Sequence, residues 1–143
     1  MVIDNFSGIG GIDLSNVVRE KSFGFAVRIV RLYKFLCAEK KEYVLSKQLL
    51  KSGTSIGANI EESLQAQGKR DFLNKTNIAL KEATETLYWL RLLHATGYID
   101  EKQTQSISSD CKEITAILVS IVKTTKANLE RSSKKETKQI PKE

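Results

Sequence analysis

The chain is poor in the residues from which most catalytic and metal sites are built. It holds one histidine, His94, and two cysteines, Cys37 and Cys111, among 143 residues. A Ser-His-Asp or Cys-His arrangement would have to enlist His94, whose place near the end of a helical stretch already accounts for it. Neither Cys-x-x-Cys nor Glu-x-x-His spacing occurs, so no metal site is read from the sequence. The two cysteines lie far apart on apolar helical stripes and read as buried, reduced thiols. One proline and eight glycines supply little of the turn punctuation an all-β fold requires. No apolar run approaches the roughly 18 residues of a membrane span. The longest, 23–27 and 116–122, stop at Arg28 and Lys123. The N-terminus carries Asp4 and no basic stretch ahead of an apolar core, so no secretory signal is read. These absences lead us to expect a cytoplasmic protein, outside the membrane, that is not an enzyme and takes no cofactor.

What is present fits one soluble globular domain: 41% hydrophobic and 28% charged residues, with a net charge of +6. Residues 1–13 are glycine-rich, with Gly8, Gly10 and Gly11 around Ile9. A phosphate loop would need a strand before them and Gly-Lys-Ser/Thr after them, so they read as a flexible leader. Residues 131–143 hold the only proline and a net +3, half the chain's total, and read as a basic disordered tail.

The bundle is expected over 14–130, with helices at about 22–39, 43–67, 69–96 and 100–130. The first has one apolar stripe at Phe25, Ile29, Leu32 and Leu36 and another at Phe23, Val27, Val30, Tyr33 and Cys37. Steps of 3 and 4 identify a helix, and two stripes mean that it packs on more than one side. The second shows Leu45, Leu49, Ile56, Ile60 and Leu64, interrupted by the small residues 52–58. Gly53 and Gly57 cost on the order of 1 kcal/mol each inside a helix, which close approach of another backbone would offset. A break into two helices at Gly53 is the competing reading. The third ends at Gly97, placed as a helix-terminating glycine, and the fourth opens on Asp100 with Gln103 as a capping box. Connections of a few residues force consecutive helices antiparallel. The fold expected is all-α, an up-down-up-down antiparallel four-helix bundle.

Three constellations are candidates for function. Glu61, Glu62, Glu82 and Glu85 read as solvated charges or as partners of Arg28, Arg31 or Arg91. The cations Arg28, Arg31, Lys34, Lys47, Lys51, Lys69 and Arg70 are the candidate phosphate contacts, with Phe35 four residues from Arg31 for a base to stack on. Tyr88 and Trp89 are about 100° apart on a helix and cannot both face one narrow seam, so they are the candidate oligomer interface.

The second and third helices also carry a recognisable phrase. Gln48-Leu49-Leu50-Lys51-Ser52-Gly53-Thr54-Ser55-Ile56-Gly57-Ala58-Asn59-Ile60-Glu61-Glu62 is followed by Asp71-Phe72 and then by Ile78-Ala79-Leu80-Lys81-Glu82-Ala83-Thr84-Glu85-Thr86-Leu87-Tyr88-Trp89-Leu90. This resembles the four-helix bundle family encoded by intervening sequences within bacterial 23S rRNA genes, over about 20–100. That family looks related in turn to the accessory variability protein of diversity-generating retroelements. The resemblance implies a ring-shaped homopentamer whose basic surface engages nucleic acid, RNA or DNA. In the retroelement relatives the partner is a reverse transcriptase with its RNA. Gly68 departs from the serine expected to cap the third helix. Within the phrase, Ser52, Gly53, Thr54, Ser55, Gly57 and Asn59 are read as packing and polar register, with Asn59 reaching Thr84 or Glu85 on the third helix. The function expected is a non-catalytic oligomeric bundle that binds nucleic acid as an accessory to an RNA-processing or reverse-transcribing complex. The alternative is a protein–protein scaffold with no nucleic-acid role.

Overall fold

The computed structural model describes residues 13–139, which form four helices: α1 (Leu14–Lys40), α2 (Leu45–Leu64), α3 (Lys69–Ala95) and α4 (Glu101–Gln139). Each helix packs on its neighbours in sequence, α4 closes back on α1, and the diagonal pairs do not meet. With links of only a few residues, this is the up-down-up-down bundle. Ile29, Leu36, Leu49, Ile56, Ile60, Leu90, Leu93, Ile114 and Leu118 from all four helices are essentially inaccessible. Each such side chain contributes about 1.5–3 kcal/mol by leaving water.

The helix ends are set by local chemistry. α1 starts at Leu14, well before the expected 22, because the Asp13 carboxylate accepts from Ser15 N at 3.0 Å and Asn16 N at 3.4 Å. The rest of the expected leader, 1–12, lies outside the described residues. α1 closes with Lys41 in the left-handed region at φ 53°, and Glu42 N reaches back to Leu36 O at 3.0 Å. Glu42 then caps α2. Its carboxylate, almost wholly buried, accepts from Val44 N, Leu45 N and Ser46 N at 3.0, 2.8 and 2.7 Å.

α2 runs unbroken through Gly53, so the two-helix reading is overturned. A Cβ on Gly53 would lie 2.7 Å from Ile29 Cγ1, and one on Gly57 3.4 Å from the Ser22 carbonyl oxygen. Both glycines therefore face α1, and their missing side chains let the two helices close together. Gly68 opens α3 in extended backbone without a side-chain cap. α3 closes as a Schellman motif: Gly97 stands at φ 85°, with Tyr98 N to Leu93 O at 2.9 Å and Gly97 N to His94 O at 3.0 Å. The capping box of α4 is formed as expected, with Gln103 N to Asp100 Oδ1 at 2.7 Å and Asp100 N to Gln103 Oε1 at 3.0 Å.

Helix α4 does not stop at 130. It continues through Gln139, so residues expected as disordered tail extend the helix, and only 140–143 lie outside the described residues. At about 1.5 Å per residue its 39 residues reach about 58 Å, against about 40 Å for the 27 of α1 or α3.

Candidate nucleic-acid interface

The alternation of helix directions sorts the charged side chains between two ends. The 41–44 and 96–100 links lie at one end. The 65–68 link, the start of α1 and the overhang of α4 lie at the other. Arg28, Arg31, Lys34, Lys47 and Lys51 belong to the first end and the middle, whereas Lys69 and Arg70 open α3 at the second. The seven candidate cations therefore do not form one patch.

Arg28 is not on an open wet face. Its guanidinium pairs with Asp110 and donates to Ser106 O at 3.3 Å and Ser106 Oγ at 2.9 Å, which fixes it in the wall between α1 and α4. Arg31 lies beside it, and Lys102 joins them from the first turn of α4. Together with Leu32, Phe35 and Ile107 they line an open groove of about 480 Å³. Lys34, Lys47 and Lys51 are exposed but lie outside this groove.

At the other end the tertiary structure assembles something the sequence did not mark. Arg70 and Lys126 share a groove of about 410 Å³ between α3 and α4, lined also by Leu73, Leu129, Asn74, Asn77 and the carboxylate of Glu130. From its edge outward, 130–138 are exposed throughout. That overhang carries Arg131, Lys134, Lys135 and Lys138 against Glu136 and the adjoining Glu130. None of these cations makes an ion pair among the described residues. The signal was available: reading the tail as helix, rather than as coil, would have continued its charge along α4 past the groove that Arg70 lines.

The acidic cluster resolves into separate contacts, none with the arginines expected. Glu61 pairs with Arg19 at 2.7 Å, Glu62 with Lys75 at 2.9 Å, and Glu85 accepts from Trp89 Nε1 at 3.2 Å. Hydrogen bonding to Glu61 and Glu62 pushes Arg19 and Lys75 above their ordinary pKa values. No group of three or more metal-ligating side chains forms among the described residues. Of the two thiols, only Cys111 is buried, and burial together with Asp110 pushes it up to about 11. Cys37 is half-buried, its sulfur 3.8 Å from Ser46 Oγ, because it sits on the flank of α1 rather than on its core line. No described helix is long and apolar enough to cross a membrane.

The small-residue phrase of α2 makes its contact between helices elsewhere than expected. Asn59 does not reach α3; its amide donates to Ser55 O at 2.8 Å and to Ser55 Oγ, within its own helix. Thr54 likewise donates to Leu50 O. The polar link to α3 is Thr86 Oγ1 to Ser52 Oγ, fully buried at 3.0 Å. Tyr88 and Trp89 pack edge to face with centroids 5.1 Å apart. Tyr88 points outward, while Trp89 is half-buried against the core.

Comparison with known proteins agrees with the fold. A crystal structure of a protein with unknown function from the S23 ribosomal protein family of Bacteroides thetaiotaomicron VPI-5482 shares 62% identity. The match spans 77% of this chain and 98% of that one, with a TM-score of 0.77. No curated protein matches the chain. The sequence pattern of the 23S rRNA-intervening sequence protein family matches residues 15–120, which take in α1 to α3 and the first half of α4. The chain therefore belongs to the 23S rRNA-intervening sequence protein family.

Proposed function

We propose that this protein is a non-catalytic, homopentameric bundle that binds nucleic acid, RNA above all, through basic surface. It serves as an accessory to an RNA-processing or reverse-transcribing complex in the cytoplasm. The observation that carries this reading is the overhang of α4, a projecting helix whose cations continue from the groove of Arg70 and Lys126 and make no ion pair among the described residues. Unpaired cations repeated along a helix are what phosphate neutralisation uses, because each contact releases a condensed counterion. Ring assembly would repeat this basic end around a symmetry axis, so a modest charge per chain becomes a strong field.

The test is salt-titrated binding to a structured RNA. The expected result is tighter binding than that of an unrelated protein of equal charge and size, with affinity falling steeply as salt rises. Replacing Arg131, Lys134 and Lys135 together by alanine should flatten the dependence of log K on log[salt] by about 2–3. Binding no tighter than the charge-matched control would overturn the reading and leave the protein–protein scaffold.

A further inference from the structure

Arg31 and Lys102 form no ion pair or hydrogen bond among the described residues, and both line the α1–α4 groove, one from each helix. Leu32, Phe35 and Ile107 supply the apolar lining, and the Lys40 ammonium stands 6.0 Å from the centre of the Phe35 ring, a third cation at the face where a base would stack. Arg28 supplies one wall as a planar group held in place by Asp110 and Ser106, so its own charge is already matched. A bare phosphate chain needs cations but gains nothing from such a lining. An aliphatic acidic peptide would use the charges but not two flat π surfaces. A planar base attached to a phosphate uses all of these features, since bases stack on phenylalanine rings and guanidinium planes while the phosphate takes up the free cations. The volume, about 480 Å³, falls within the range of small-ligand sites. A duplex cannot present a base this way, because its bases are stacked on each other.

We infer that the α1–α4 groove holds one unpaired nucleotide of a nucleic-acid strand. Its base lies on Phe35 and its phosphate between Arg31 and Lys102. This rests on the nucleic-acid reading above and adds strand selectivity to it. The overhang of α4 grips phosphate of any strand, whereas the groove at the opposite end takes only an unstacked base.

The test compares a hairpin RNA bearing an unpaired loop, the same stem closed as a blunt duplex, and a single-stranded DNA of the loop sequence. Binding is read by fluorescence anisotropy at fixed salt, with a polyglutamate peptide as a fourth ligand. The wild type should prefer the loop RNA over the duplex. Phe35→Leu, which keeps apolar bulk but removes the ring, should weaken loop binding about 5-fold or more and leave duplex binding unchanged. Lys102→Glu, at an exposed position that folding does not depend on, should act in the same direction. Single-stranded DNA bound as well as the loop RNA would assign the site to unpaired bases of either sugar. DNA bound only as weakly as duplex would assign it to RNA. Loop binding untouched by both substitutions, in a protein that still loses RNA with its overhang cations, would overturn the groove and keep the proposed function. Polyglutamate binding that Phe35→Leu and Lys102→Glu weaken, without loop preference, would overturn it in favour of a peptide site. No binding of any RNA by the wild type would overturn both readings.

Discussion

Gly53 shows at one atom why α2 tolerates glycines. The gain in helix propensity from Gly53→Ala, about 1 kcal/mol, is set against a methyl placed 2.7 Å from Ile29 Cγ1 and 2.9 Å from Cγ2. Ile29 is β-branched and fully buried, so it cannot swing aside. Overpacking of this kind costs about 1–3 kcal/mol, so Gly53→Ala should lower stability by about 1 kcal/mol net in a urea melt. Combined with Ile29→Ala, which clears the space, the loss should be smaller than the sum of the single losses. Strict additivity would show that the contact is not what excludes the methyl. Glu42 makes a second case. Burial alone would raise its pKa, but the N–H groups of Leu45, Ser46 and Val44 together hold it below the ordinary carboxylate value of 4.5. A depressed carboxylate stabilises the fold above its unfolded pKa and stops doing so as pH falls through its folded one. Glu42→Gln should therefore cost about 1 kcal/mol at neutral pH, the scale of a lost cap. That deficit should shrink as the pH drops below about 4. A deficit constant from pH 7 to pH 3 would count against the cap. The glycines' role was legible from their one-turn spacing. The carboxylate cap was not, because glutamate is not a usual N-cap and only the left-handed turn at Lys41 brings it over the helix end.

Among the elements, α2 and α3 fall within a few residues of where periodicity put them, and the Asp100–Gln103 box and Gly97 stop stood out in the sequence. The two outer boundaries did not. At the start of α1, Asp13 is the cap and Leu14 and Val18 pack into the core, but two of the buried positions before Phe25 are the serines Ser15 and Ser22, so the apolar stripe thins out before the helix does. At the end of α4, the core line finishes near Thr125, and beyond it hydrophobic periodicity has nothing to report. Truncation after residue 130 tests what that extension does. Its side chains are exposed and make no contact with the core, so the shortened protein should keep its helical bundle with a melting point changed by only a few degrees. Affinity for RNA should fall at least tenfold. Collapse of the bundle would show that the extension is structural, and unchanged RNA affinity would move the phosphate contacts elsewhere.

At the scale of the whole molecule, the second apolar stripe of α1 is the surface that the proposed pentamer would use. Phe23 is 70% exposed, and Val27 and Val30 on the same flank are only half covered. Tyr88 is 53% exposed on the opposite helix of the bundle. Within one chain these side chains stay uncovered, and the proposed interface between copies would bury them. Light scattering after gel filtration should give a multiple of the 16.1 kDa chain mass. Phe23→Glu should shift the population toward monomer, with helicity retained. An already monomeric wild type at micromolar concentration would rule the pentamer out.

The sequence by itself determined the fold class, the helix count and the line of the core, because steps of 3 and 4 bury one stripe per helix and short links leave one way to arrange four of them. It also carried the phrase by which the family is recognised. Only the tertiary structure decided which charges are free. Arg28 lies near Arg31 in the sequence, but Asp110, distant in the chain, takes up its charge, while Arg70 shares a groove with Lys126 only because α3 and α4 run antiparallel. The net charge of +6 is therefore a property of composition. Its division into structural pairs, a groove and a basic end belongs to the packing, because a cation's availability depends on which carboxylate the fold sets beside it.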